Sequence, residues 1–214
     1  MSAATGALQQ ATHVFLEGCG LPAAWAGRPQ WRVLDTAFGS GLNFLATWHA
    51  WRSDPRRPRL LHYAATDPSP PSLHDLLQGV ATYPALQPLA DALASQWNGL
   101  LPGFHRLSFE DGHVLLTLCV GEAQAMLREQ SFRADSVFLA GNAPDPDTLK
   151  AMTRLCRRDA TLASELAADA VGRDLQSCGW VLHARAGLSP GRECLAGRHA
   201  PSWPVKGLDE ETAL

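Results

Sequence analysis

The run Val33-Leu34-Asp35-Thr36-Ala37-Phe38-Gly39-Ser40-Gly41-Leu42-Asn43-Phe44 constrains this chain more than any other stretch. A short apolar segment ends in an acid, two glycines turn the chain, and helix-forming residues follow. Glycine lets a backbone pass close to a ligand because no Cβ stands in the way. The N-terminus of the following helix offers free N–H donors to an anionic group. A dinucleotide-binding G-x-G-x-x-G would place its third glycine at position 44, where Phe44 stands, so a nucleotide-dependent oxidoreductase is disfavoured. Taken alone, such a turn suits any α/β protein about as well as a ligand-binding one.

A second acid sharpens the reading. Leu60 to Ala65 reads as the next strand, and Asp67 closes it where Rossmann-like folds set a carboxylate for ribose hydroxyls. Beside Pro68 it also suits a plain turn. Further on, apolar strand-like runs alternate with helical ones, which predicts a mostly parallel sheet with helices on both faces. Trp31–Asp35, Ser136–Leu139, Thr161–Ala163 and Trp180–Ala184 read as strands, and Glu193–Ala196 can pair with the last. Phe104–Phe109 and Val114–Val120 flank Asp111-Gly112, a pair suited to a tight hairpin turn. Helices are expected over Leu42–Trp51, from Ser72 as cap, and over Ala85–Trp97 with Pro88 in its first turn. Three more are expected over Glu122–Gln130, Asp147–Arg157 and Ala167–Cys178.

With 214 residues, one α/β domain over residues 1–198 is expected, followed by a loosely attached acidic tail over 199–214. No apolar run reaches the ~18 residues of a membrane span. Met1–Gln10 lacks the basic start and apolar core of a secretory signal, so a cytoplasmic chain is expected. The five cysteines are scattered, with no C-x-x-C pair and no Cys/His cluster, which points to reduced core thiols and to no metal site. A net charge of −3 gives no overall basic field for nucleic acid. Arg52, Arg56, Arg57 and Arg59, and Arg154, Arg157 and Arg158, form local patches best read as solvated faces. Trp48 and Trp51, three apart on one helix, read as core. His105 and His113 lack metal-ligand spacing.

Several stretches in consistent order resemble the methyltransferase domain of the MnmC-type family. Asp35 to Phe44 is similar to the acid-led D/E-x-G-x-G-x-G motif of class I methyltransferases, with Ala37 at its first glycine, and to the family's "E-(S/T)-G-F-G-x-G-L-N-F". His13 to Pro22 looks like its "VFL-x-G-N-x-L", and Leu100 to Leu107 like its "LPG-(C/F)-HRL". Gly121-Glu122 and Arg192 to Leu195 match its Gly-Asp and "REML". The resemblance implies a Rossmann-like class I methyltransferase fold, with S-adenosylmethionine as cofactor and the aminomethyl group of wobble thiouridine in tRNA as substrate. It also implies that Gly39, Gly41 and Asn43 flank the methionine moiety, that Asp67 holds the ribose and that Glu122 lies near the adenine. Family members often carry a flavin-dependent oxidoreductase as a fused domain, and such a domain or chain is the expected partner.

The chain departs from the family on the substrate side. The family's "F-L-D-G-F-A-P" places an aspartate beside the substrate amine, whereas Phe138-Leu139-Ala140-Gly141-Asn142 has Ala140 there, and the loop that follows is two residues shorter. Leu162-Ala163-Ser164-Glu165 replaces a "LAT-(Y/F)", and Gly187 to Arg192 lacks two of the family's cations. A methyl group cannot accept a hydrogen bond from an amine or balance its charge. Asp145 or Asp147 could substitute, although each reads more simply as a turn or cap acid. Two readings follow: an active methyltransferase, or a non-catalytic relative with a structural or partner-binding role. Bare chemistry at position 140 leans to the second. Ala140→Asp alone is expected to fall short of full turnover, because the shortened loop also reshapes the pocket. Methylation by that variant at the rate of a relative carrying the aspartate naturally would overturn this expectation.

Overall fold

The computed structural model describes residues 3–202. Eight strands form one sheet: β1 (Gln30–Asp35), β2 (Leu60–Asp67), β3 (Gly103–Phe109), β4 (Val114–Val120), β5 (Ala134–Leu139), β6 (Cys156–Ser164), β7 (Trp180–Ala186) and β8 (Glu193–His199). Their order across the sheet is β3-β4-β2-β1-β5-β6-β8-β7. The central strands β4, β2, β1, β5 and β6 are parallel, while β3 and β8 run against their neighbours. The expected α/β class with an antiparallel hairpin is therefore present. The chain moves outward from β1 through β2 to β4, then returns to the other side of β1 at β5. That reversal opens a crevice beyond the carboxyl ends of β1 and β5, the place where open α/β sheets bind ligands.

Helices cover both faces: α1 (Ala3–Gln10), α2 (Leu42–Ser53), α3 (Leu73–Val80) and α4 (Gln87–Ala94), then α5 (Ala123–Arg128), α6 (Pro146–Arg154) and α7 (Ala168–Ser177). Strand alternation sorts the core into two apolar clusters. Val33, Tyr63, Leu116, Leu118, Phe138 and Ala163 face the N-terminal segment, α2, α3 and α4. Leu34, Ala64, Val137, Leu139 and Leu162 face α5, α6 and α7. Trp48 and Trp51 are buried, as read, with their indole N–H groups donated to Glu110 and to the Pro58 carbonyl. Four of the five cysteines are buried and all are free thiols. No helix among the described residues is long and apolar enough to cross a membrane.

Some boundaries differ from the sequence reading. Helix α6 stops at Arg154, and Arg157 and Arg158 lie in β6, which starts at Cys156 rather than Thr161. Asp159 takes a positive φ of 67° inside that strand, and its pairing with β5 shifts register, so the alternation that marks a strand is interrupted. The second arginine patch keeps Arg154 and Arg158 exposed, and its side chains also bond to the protein. Arg154 donates to the Leu127 and Arg128 carbonyls, Arg157 pairs with Asp135 at 3.3 Å, and Arg158 donates to the Pro201 carbonyl. Ala85–Trp97 divides into a 3-10 turn, Pro84–Leu86, and α4. The β3–β4 connection spans the expected four residues, 110–113, with Glu110, Asp111 and Gly112 all at positive φ. The expected tail overlaps β8, whose last residue, His199, is buried; residues 203–214 lie outside the described residues.

The helical stretch after α1 runs on to Cys19 and lies directly on β6. Gly18 makes this possible, since a Cβ there would stand 2.7 Å from the Ala163 Cβ, which cannot rotate away. Gly18→Ala is expected to destabilise the domain by ~1–3 kcal/mol through overpacking, read by thermal denaturation. An unchanged melting temperature would mean that the segment does not seat on β6.

Candidate active site

Four hydrogen-bonded residues assemble at the crevice. Asp35 ends β1 with a carboxylate fully removed from water. Its Oδ2 accepts the Tyr63 hydroxyl at 2.5 Å and, more loosely, the Asn43 amide at 3.5 Å, while Oδ1 accepts the Ala37 N–H at 3.1 Å. Burial pushes the Asp35 pKa up to about 7 despite those donors, and the neighbouring Asp67 charge adds to the rise. Burial first, and the Asp35 charge next, hold the Tyr63 hydroxyl well above its ordinary value, so the phenol stays protonated and remains a donor.

The glycine turn is fastened to both neighbouring strands. Phe38 N–H donates to the Thr66 carbonyl, and Gly39 N–H donates to Asp67 Oδ2 at 2.9 Å. Asp67 Oδ1 accepts the Ser69 N–H at 2.8 Å, so the acid organises the turn before any ligand arrives. Gly39 has φ 54°, and a Cβ there would meet nothing closer than the Ala37 carbonyl oxygen at 3.9 Å, which leaves the backbone open to the crevice. Gly41 has φ 76° and starts α2; a Cβ there would lie 2.9 Å from the Phe38 ring packed beneath it. On the β5 side, Thr36 Oγ1 donates to the Ala140 carbonyl and accepts the Ala140 N–H, each at 3.0 Å.

The structure thus brings Asp35, Gly39, Asn43 and Asp67 together, with Gly41 beside them. Glu122 stands at the end of β4, within one residue of Gly121, whose N–H donates to the Asp67 carbonyl at 3.1 Å. Its carboxylate caps α5, accepting the Gln124 and Ala125 N–H groups at 3.0 and 2.8 Å. Asp145 is the cap of α6, bonded to Asp147 N–H, Thr148 N–H and the Thr148 hydroxyl, and Asp147 pairs with Lys150 at 3.0 Å. Both acids therefore serve the helix, and neither takes the place of a side chain at Ala140. Sequence reasoning missed Thr36 and Tyr63, since a threonine just past one strand and a tyrosine inside the next give no signal of their partners. It also missed a cavity of ≈550 Å³ beside the crevice, lined by Gln10, Val14, Gly141, Glu165, Leu188 and Glu193 among others.

The buried Asp35 predicts a pH dependence. A carboxyl whose folded pKa lies near 7, against an ordinary 3.8, favours the neutral form on folding. Its contribution to stability is full below about pH 4 and is lost as pH rises through about 7, by ~4 kcal/mol at most. Relative to Asp35→Asn, wild type should therefore lose melting temperature across that window and run parallel above it. Parallel curves throughout would show that Asp35 does not titrate there.

A family model described as S-adenosyl-L-methionine-dependent methyltransferase matches residues 84–200, more than half of the chain. The tRNA 5-methylaminomethyl-2-thiouridine biosynthesis bifunctional protein MnmC of Polaromonas sp. strain JS666 is 53% identical over 213 residues, covering 94% of this chain and 33% of that protein. The chain thus spans about a third of the length of the curated relatives it matches. Among solved structures, MnmC2 from Aquifex aeolicus superposes with a TM-score of 0.72 at 18% identity, covering 94% of this chain and 63% of that one. Trm1 from Pyrococcus horikoshii with S-adenosyl-L-methionine gives 0.54 at 12% identity, covering 94% and 57%. At those identities the likeness is one of fold. The matched family model and the glycine turn at the sheet's reversal point agree: the chain belongs to the S-adenosyl-L-methionine-dependent methyltransferase family.

Proposed function

We propose that the chain transfers a methyl group from S-adenosylmethionine to the aminomethyl group of a wobble thiouridine in tRNA, alongside a flavin-dependent oxidoreductase domain or chain. The observation that carries this reading is the glycine turn, fastened to Asp67 and facing an open crevice, in a chain about half identical to MnmC proteins. S-adenosylmethionine supplies an electrophilic methyl on a sulfonium. The residues present fit it. Gly39 leaves open backbone, and Gly41 and Asn43 at the head of α2 flank the methionine moiety. Asp67 lies at the end of β2 with one backbone donor on each oxygen, so further lone pairs remain for ribose hydroxyls. Glu122, at the end of β4, borders the adenine. Asp35 sits behind the turn, and a cation bound above it would draw its proton off, since opposite charge favours the ionised form.

The protein's part in such a transfer is chiefly to position the amine and keep out water. Ala140 favours a second reading, a domain that keeps the fold without the chemistry, because its methyl offers the amine no acceptor.

Calorimetric titration with S-adenosylmethionine tests the cofactor site. Saturable binding is expected, and Asp67→Ala should weaken it at least tenfold, the usual cost of losing a charged hydrogen-bond partner. Undermodified tRNA should then accept methyl groups. Binding without transfer would favour the second reading, and absence of binding would refute the cofactor site itself.

A further inference from the structure

The carboxyl edge of β5 and β6 holds an arrangement that the glycine turn does not use. Leu139 and Ser164 are the last paired residues of the two strands, so Ala140 and Glu165 are side by side one step further on. Phe138, Ala140 and Ala163 belong to the apolar cluster under the N-terminal segment, and Leu139 and Leu162 to the opposite one. Alternation therefore puts position 165 on the same face as 140. The hydrogen bond from Gln10 Nε2 to Glu165 Oε2 agrees, since Gln10 ends α1 on that face. Glu165 borders the ≈550 Å³ cavity together with Gly141, the residue after Ala140.

Neighbouring strands lie ~4.8 Å apart, and a glutamate side chain spans most of that distance. A carboxylate on residue 165 can thus reach the space above the Ala140 methyl. We propose that Glu165, held by Gln10, is the residue that receives the substrate's primary amine, at the place where an aspartate at 140 would present a carboxylate. The assignment rests on the reading of the chain as an amine methyltransferase. An alkylammonium entering this cavity needs an anionic partner, and Ala140 supplies none. Arg192 and Glu193 also line the cavity, but they come from the β7–β8 side. Among the described residues lining the cavity, Glu165 is the carboxylate at the edge of β6, beside Ala140. In relatives resembling the family motif this position carries an aromatic ring, so the chain has lost one carboxylate and gained another on the adjacent strand.

The test measures binding of two RNA probes to the whole chain by fluorescence anisotropy: an anticodon stem–loop with 5-aminomethyl-2-thiouridine, and the same loop with 2-thiouridine. Wild type is expected to prefer the amine-bearing loop by about tenfold, the scale of one charge-assisted hydrogen bond. Glu165→Gln should erase that preference while leaving melting temperature, S-adenosylmethionine affinity and binding of the amine-free loop unchanged. Glu193→Gln should keep the preference, and Glu165→Gln combined with Ala140→Asp should recover part of it. An undiminished preference in Glu165→Gln, or none in a wild type that binds S-adenosylmethionine, overturns the assignment and leaves the cofactor site standing. A wild type that binds no S-adenosylmethionine overturns the underlying reading, and the assignment falls with it.

Discussion

Three strands end at the crevice, and Thr36 ties them together. Its N–H donates to the Phe138 carbonyl of β5, its hydroxyl exchanges hydrogen bonds with both backbone groups of Ala140, and its carbonyl accepts the Thr66 hydroxyl of β2 at 2.8 Å. A parallel sheet that reverses its order at β1 leaves these strand ends without ladder partners, and buried backbone groups must be satisfied somewhere. Thr36 satisfies them across the gap, and Gly141 lets the β5 loop come close, since a Cβ there would stand 2.9 Å from the Ala37 Cβ. With β2 and β5 both fastened to β1, the glycine turn has one path left, which ends with its Gly39 N–H on Asp67. The opening of the crevice is therefore a consequence of how the strand ends are closed.

Much of this is legible in the amino-acid sequence. Asp35, Gly39, Gly41 and Asp67 stand out in combination, since strand, acid, glycine turn, helix, strand and second acid together are more specific than any one of them. Ser72 caps α3 as its sequence context predicts, its Oγ accepting the Asp75 N–H at 3.1 Å. Other features depend on register, which short-range pattern does not carry. Tyr63 pairs with Val33, and only that pairing sets its hydroxyl over Asp35, two residues on. The nearness of Ala140 and Glu165 depends likewise on how β5 meets β6 through a register shift between Ala134 and Ser136. The helix expected to run to Arg157 overlaps the first two residues of β6, and Asp159 hides the rest of that strand's start by breaking its alternation. The N-terminal segment carries a family-like motif but gives no sign of its packing on β6, which rests on a missing side chain at Gly18.

The two halves of the crevice are built from different materials, and that difference governs how each tolerates change. The half proposed to hold the cofactor relies on backbone: N–H groups of the turn, positive φ at Gly39 and Gly41, and buried acids whose hydrogen bonds hold the turn's shape. A side chain altered there moves the main chain, because the conformations involved are ones that residues with a Cβ rarely take. On the half proposed to receive the substrate, side chains stand on strand ends and on the β7–β8 turn, around a cavity that Gln10 borders from the other side. There a charged group is defined by where its carboxylate arrives rather than by which strand sends it. Two adjacent parallel strands offer neighbouring starting points ~5 Å apart, a gap that the full length of a glutamate side chain largely spans. An Ala140 backbone held on both sides by Thr36 keeps that edge in place whatever side chain it bears. A carboxylate can therefore pass from β5 to β6 without rebuilding the sheet, whereas no comparable exchange is open to Gly39 or Asp67.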